Sequence, residues 1–161
     1  MQRTRDDWLR ASDREFLSAC RVETMRGSGR GGQKRNVTDS AVRITHEPSG
    51  CTGASDATRS QTRNRRLALR AVRHTLALEC RCAAPPPGPV ERPGSRHRLY
   101  PLWIARVLDV LSAVDYRVSD AAAHLETSTG RLVRDLASDP TLWQVVASQR
   151  RSRGHPPLRR P

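Results

Sequence analysis

"RGSGRGGQKRNVTDSAVRITH", residues 26–46, sets Gly27, Gly29, Gly31 and Gly32 among Arg26, Arg30, Lys34, Arg35 and Arg43, with one glutamine, Gln33, behind the last glycine. The second half reads as a strand. In "SAVRITHE" (40–47) Val42, Ile44 and His46 alternate with Ala41, Arg43 and Thr45, the period-two pattern of a chain with one buried face. "EPSG" (47–50) places Pro and Gly for a turn, so a hairpin partner is expected. The candidate, "CTGASDAT" (51–58), is small and polar, poor on strand propensity, and is expected as a short or irregular edge. Upstream, "RVETMR" (21–26) alternates enough for another strand.

Glycines beside basic residues suggest a phosphate cradle, and the spacing tests that. Gly27 and Gly32 stand as in GxxxxGK[ST], but Gln33 occupies the lysine position and Lys34-Arg35 supplies no hydroxyl for magnesium. Gly27, Gly29 and Gly32 also fit GxGxxG, yet no buried apolar strand precedes them and a strand, not a helix, follows. Both nucleotide readings fail on context. A flexible connection with solubilising arginines remains as the plain alternative.

Net charge is +13 over 161 residues, and Lys34 is the only lysine. Arginine contacts phosphate bidentately and stacks on bases, which fits an RNA partner. Residues 26–74 carry eleven basic residues against Asp39, Glu47 and Asp56, residues 100–146 four against six acidic, and residues 147–161 five arginines and no acid. A polyanion is therefore expected at the glycine segment and the tail. No apolar run approaches 18 residues, and the charged N-terminus lacks the apolar segment of a secretory signal, so no membrane association and a cytoplasmic location are expected. Cys20, Cys51, Cys80 and Cys82 have neither CxxC nor finger spacing; free thiols, no metal and no cofactor are expected.

Along the rest of the chain, Ser12 and Glu15 form a capping box opening a helix through about Cys20. From Ser60, "SQTRNRRLALRAVRHTLALE" gives an amphipathic helix with Leu69, Val72 and Leu76 inward and Arg63, Arg66, Arg70 and Arg73 on an outer face. "PPPGPVERPGS" (85–95) reads as a stiff linker. Helices follow: one over "LYPLWIARVLDVLSAV", and two or three in "VSDAAAHLETSTGRLVRDLASDPTLWQVVASQ". Residues 118–136 look like a helix-turn-helix turning near Glu126–Ser128. Trp103 and Trp143 are read as packing residues. The tail "RRSRGHPPLRRP" has no apolar periodicity and is expected to be disordered.

"SGRGGQ", then "NVTDSAVRITH", then "RSQTRNRRLALR" together resemble the catalytic domain of class I peptide chain release factors, over about residues 14–82 and in the family's order. The expected fold class is α+β: a small mixed α/β domain, a short antiparallel sheet packed with helices, plus a C-terminal helical module and a basic tail. The expected divisions are 1–83 (catalytic domain), 84–98 (linker), 99–146 (helical module) and 147–161 (tail). What the resemblance implies is hydrolysis of the peptidyl-tRNA ester in the ribosomal peptidyl transferase centre. Gly31 and Gly32 would permit close backbone approach, and the main-chain N–H of Gln33 would stabilise the tetrahedral oxyanion. His46 is read as structural rather than as a base.

Two departures accompany the likeness: Arg30 stands where proline commonly precedes GGQ, and "CTGASD" is usually apolar in relatives. Candidate contacts to large-subunit rRNA are Arg26, Arg30, Lys34, Arg35, Arg59 and Arg63. Arg150, Arg151 and Arg153 of the tail are candidates for RNA or for an empty messenger channel. With no segment resembling a codon reader, the expectation is a monomeric, codon-independent rescue hydrolase acting on stalled ribosomes. The alternatives are a non-enzymatic ribosome-binding factor or a helix-turn-helix DNA regulator; the net −2 of residues 100–146 counts against the latter.

Overall fold

A computed structural model describes residues 3–25 and 40–161. The chain divides into two compact units, Met1–Cys80 and Arg81–Pro161.

The first unit opens with two short helices, α1 (Arg5–Arg10) and α2 (Asp13–Leu17), each held by a reciprocal capping box, Thr4 with Asp7 and Ser12 with Glu15. The second box was legible; α1 was not expected at all. Three strands follow: β1 (Cys20–Met25), β2 (Ala41–His46) and β3 (Thr52–Ser55). They pair antiparallel in chain order, β1-β2-β3, with Met25 opposite Ala41 and Ile44 opposite Gly53. The β2–β3 turn needs Gly50, whose φ of +72° is left-handed. Helix α3 (Gln61–Glu79), capped by Ser60, packs on the sheet. Val42, Ile44, Ala68, Val72, Leu76, Leu9 and Phe16 form the core.

The small, polar β3 now has a reason. A Cβ on Gly53 would strike the α3 backbone at Val72 N and lie 2.6 Å from the Ala68 carbonyl oxygen. The helix lies so close to the strand that only glycine fits, and an apolar side chain there would force the two apart.

Arg73 departs from the expected outer face. It is 3% exposed, and its guanidinium donates to the carbonyls of Leu9 (3.2 Å) and Ala11 (2.9 Å) and to the Asp13 carboxylate (3.2 Å). The chain between α1 and α2 leaves carbonyls without helical partners, and Arg73 satisfies them from across the core. Arg63, Arg66 and Arg70 are exposed as expected.

The second unit is helical: α4 (Tyr100–Ala113), α5 (Val118–His124), α6 (Thr129–Ala137) and α7 (Pro140–Ser152). α5 and α6 are joined through Glu126, at φ +49°, and Ser128, which caps α6. Ala122, Leu125, Leu132 and Leu136 are buried, as the sequence pattern requires. Residues 84–98 hold no helix or strand but lie against these helices. His124 Nε2 meets the Pro85 carbonyl at 2.8 Å, and Arg92 lies over the Tyr100 and Trp103 rings and bonds Ser138.

The tail differs from its expectation. α7 runs to Ser152, so position 147 falls inside a helix. Beyond it, His155 Nε2 lies 2.7 Å from the Asp115 carbonyl, and Arg160 donates to the Ala137 carbonyl. The proline and arginine content carries no apolar periodicity, but the α4–α5 turn and the end of α6 offer carbonyls that those side chains reach.

Candidate functional site

The glycine segment connects β1 to β2. Gly31, Gly32 and Gln33, with Arg26, Arg30, Lys34 and Arg35, lie outside the described residues; the strand ends on either side of them are described. Met25 and Ala41 form the last register pair of the two strands. One residue beyond it, Ser40 is buried, and its carbonyl accepts a 2.7 Å hydrogen bond from Asn64 Nδ2.

Asn64 is fully buried in the first turns of α3. Its Nδ2 donates a second bond to the Thr58 carbonyl (2.7 Å), and its Oδ1 accepts from the Thr58 amide (3.0 Å), with the Thr58 hydroxyl also at 3.0 Å. Both amide donors and the carbonyl oxygen are therefore used. The Thr58 hydroxyl in turn accepts from the Ser60 amide, and the Ser60 side chain accepts from the Arg63 amide. One network thus fixes the entry into β2, the turn at 56–59 and the N-terminus of α3. Arg59 and Arg63 are exposed beside it, at the end of the helix nearest the Ser40 stem.

Sequence reasoning missed Asn64, although a signal existed. Asn64, Ala68, Val72 and Leu76 recur every four residues along the buried row of α3, and an amide on an apolar row demands a partner. Arg73 lies on the adjoining row, with Leu69 and Ala77. There the three- and four-residue spacing of the arginines concealed an inward side chain.

His46 is 1% exposed. Its ring stacks on Phe16 at 4.9 Å and meets the Trp8 ring edge-on at 5.0 Å, while Nδ1 lies 2.8 Å from the Ser49 hydroxyl. Burial first, and the Arg73 charge second, push its pKa below the ordinary imidazole value. The ring is packed among aromatic side chains, and its burial disfavours the charged form.

The tail arginines differ among themselves. Arg150 is buried and donates to the carbonyls of Tyr116 (2.6 Å) and Pro156 (2.9 Å), so its guanidinium is not available to RNA. Arg153 lies over the Tyr116 ring and pairs with Asp115 at 3.0 Å. Arg151 is exposed at the end of α7.

Among the described residues no group of three or more His, Cys, Asp or Glu could hold a metal ion, and no helix is long and apolar enough to cross a membrane. What the arrangement supplies is a hydrogen-bonded stem: the start of the central strand, a helix N-terminus and a buried amide holding one end of a glycine-rich connection.

Comparison with known proteins finds a family model that matches the part of the chain holding that stem. Residues 17–85 match the RF-1 domain. Over 56 residues, 35% of this chain, the sequence is 52% identical to peptide chain release factor 2 of Colwellia psychrerythraea, covering 15% of that protein. It is 55% identical over 56 residues to peptide chain release factor 1 of Jannaschia sp., covering 16% of that protein. Against peptide chain release factor 2 of Paramagnetospirillum magneticum the identity is 51% over 70 residues, 42% of this chain and 19% of the relative. The chain thus spans less than a fifth of the length of these curated relatives.

Proposed function

Residues 17–85 being an RF-1 domain, we propose that this chain hydrolyses the ester joining a nascent peptide to tRNA on the ribosome. The observation that carries the reading is the GGQ tripeptide at 31–33, inside the matched residues and between two strands whose far stem is fixed by Asn64. Water adds to the ester carbonyl, the tetrahedral oxyanion accepts a hydrogen bond from the Gln33 main-chain N–H, and the ribose 3′-oxygen leaves carrying a proton. One such donor is worth about 3–4 kcal/mol, or on the order of 100- to 1,000-fold in rate. Gly31 and Gly32 remove the side chains that would keep the backbone from the ester. The Gln33 amide shapes the pocket for water.

The substrate is a stalled ribosome, and release proceeds without a stop codon. In support, the RF-1 domain is followed here by a helical unit with its own core, and the charge on the first unit gathers around the glycine segment and α3. The proposed RNA-facing residues are Arg26, Arg30, Lys34, Arg35, Arg59, Arg63, Arg151 and Arg153; Arg150 is withdrawn from that set because it is buried.

Peptide release from ribosomes stalled on a message ending in the decoding site tests the reading, with a stop codon present or absent. Wild type is expected to release peptide equally in both. Gly32→Ala and Gln33→Pro, which removes the N–H, are each expected to lose about 100-fold or more. Equal release by wild type and Gly32→Ala sinks the assignment, and release only at stop codons sinks the codon independence.

A further inference from the structure

Asn64 occupies a row of α3 that is otherwise Ala68, Val72 and Leu76, and it is fully buried. An apolar residue would fill that row without the desolvation of an amide. Its hydrogen bonds go neither along its own helix nor into the sheet ladder. Its donors go to Ser40, one residue beyond the last β1–β2 register pair, and to Thr58, two residues before the α3 cap, while its Oδ1 accepts from Thr58 and, at 3.5 Å, from the Ser55 hydroxyl at the end of β3. Ser40 is the point where the glycine segment enters β2, seven residues from Gln33.

We propose that Asn64 is a positioning residue for that segment, its amide clamping the Ser40 carbonyl and so fixing the stem from which Gln33 is presented. The proposal rests on the hydrolytic reading of Gln33. Catalysis by an oriented backbone N–H is sensitive to placement, since an error of about 1 Å can cost on the order of 100-fold.

Asn64→Asp and Asn64→Ala, each in the full chain, are compared with Leu76→Ala, a core truncation near the opposite end of α3 that loosens the domain without touching the stem. Asn64→Asp keeps the shape but replaces two donors with acceptors facing two carbonyls. Assays are run where circular dichroism shows each variant folded; if Asn64→Asp does not fold, Asn64→Ala carries the comparison. The expected result is a kcat for peptide release at least tenfold lower in the Asn64 variants, with KM within twofold, and Leu76→Ala within twofold of wild type in both. Hydrogen exchange at the Ser40 and Ala41 amides is expected to accelerate at least tenfold in the Asn64 variants relative to Leu76→Ala. A kcat loss no greater than that of Leu76→Ala overturns the proposal, as does unchanged exchange. Where wild type itself releases no more peptide than Gly32→Ala, the hydrolytic reading falls, and exchange alone then judges the clamp: acceleration keeps it and its absence removes it.

Discussion

The guanidinium of Arg73 lies 4.3 Å from the centre of the Phe16 ring while donating to the main chain between α1 and α2. One arginine from the middle of α3 thereby holds the two N-terminal helices and stacks on the largest side chain of the core. Removing it strands several buried carbonyls at once. Arg73→Ala is expected to destabilise the first unit by about 3 kcal/mol, each unmet buried group costing about 1–3 kcal/mol. Arg73→Lys is expected to recover less than half of that, because an ammonium lacks the planar fork that reaches successive carbonyls. Urea denaturation followed through Trp8 fluorescence measures both, and a loss below about 0.5 kcal/mol for Arg73→Ala refutes the bridging role.

Arg150 and Arg151 are neighbours in one basic run, yet one is buried and the other exposed. The bond from Arg150 to the Tyr116 carbonyl holds a turn in which Asp115 and Tyr116 both have positive φ, at 56° and 57°. Such backbone persists only where its surroundings over-determine it. Arg150→Ala is expected to lower the stability of the second unit by about 2 kcal/mol. Arg151→Ala is expected to leave stability within about 0.5 kcal/mol while weakening ribosome binding and flattening its salt dependence. Thermal melts and binding titrations at two salt concentrations check the pair; identical behaviour of the two variants contradicts the distinction.

His46 makes stability depend on pH in a definite window. Its pKa is lowered in the fold, from 6.5, by burial and by Arg73. The unfolded chain therefore binds a proton that the folded chain refuses, and stability present above pH 6.5 is lost as pH falls through the folded value. Asp7 and Glu15, whose carboxyls are held low by their capping-box hydrogen bonds, act only below their ordinary values of 3.8 and 4.5. Urea midpoints at pH 7.5 and 5.5 are expected to differ more for wild type than for His46→Phe, which keeps the aromatic stack and cannot titrate. An equal shift in both variants rules His46 out as the source.

Where a pattern lay along one element, the sequence displayed it. Alternation located β2, the Ser12–Glu15 and Ser60 caps fixed two helix starts, and apolar periodicity placed α3, α4 and the α5–α6 pair. Where the reason lay on another element, it was hidden. Gly53 looks like a weak strand residue until α3 is laid against it. Arg73 looks solvated until the carbonyls after α1 are brought to it, and Arg150 until the α4–α5 turn is. Residues 5–10 carry five charged or aromatic side chains in six positions, and only the Thr4–Asp7 box marked the helix they form. Of the candidate site, the tripeptide was legible as a motif. Asn64, an amide on an apolar row, signalled that it had a partner but not which, because its partners are 24, nine and six residues away.

Met25 and Ala41 face one another across β1 and β2, so the chain leaves the sheet and re-enters it at points about 5 Å apart. To the core, everything between them is a closure whose entropic cost rises by only about 0.6 kcal/mol for each doubling of its length. The residues between can therefore be rewritten or lengthened over evolutionary time without renegotiating the interior. Heredity can vary this connection and the scaffold independently, and an altered connection arises on a body that already folds.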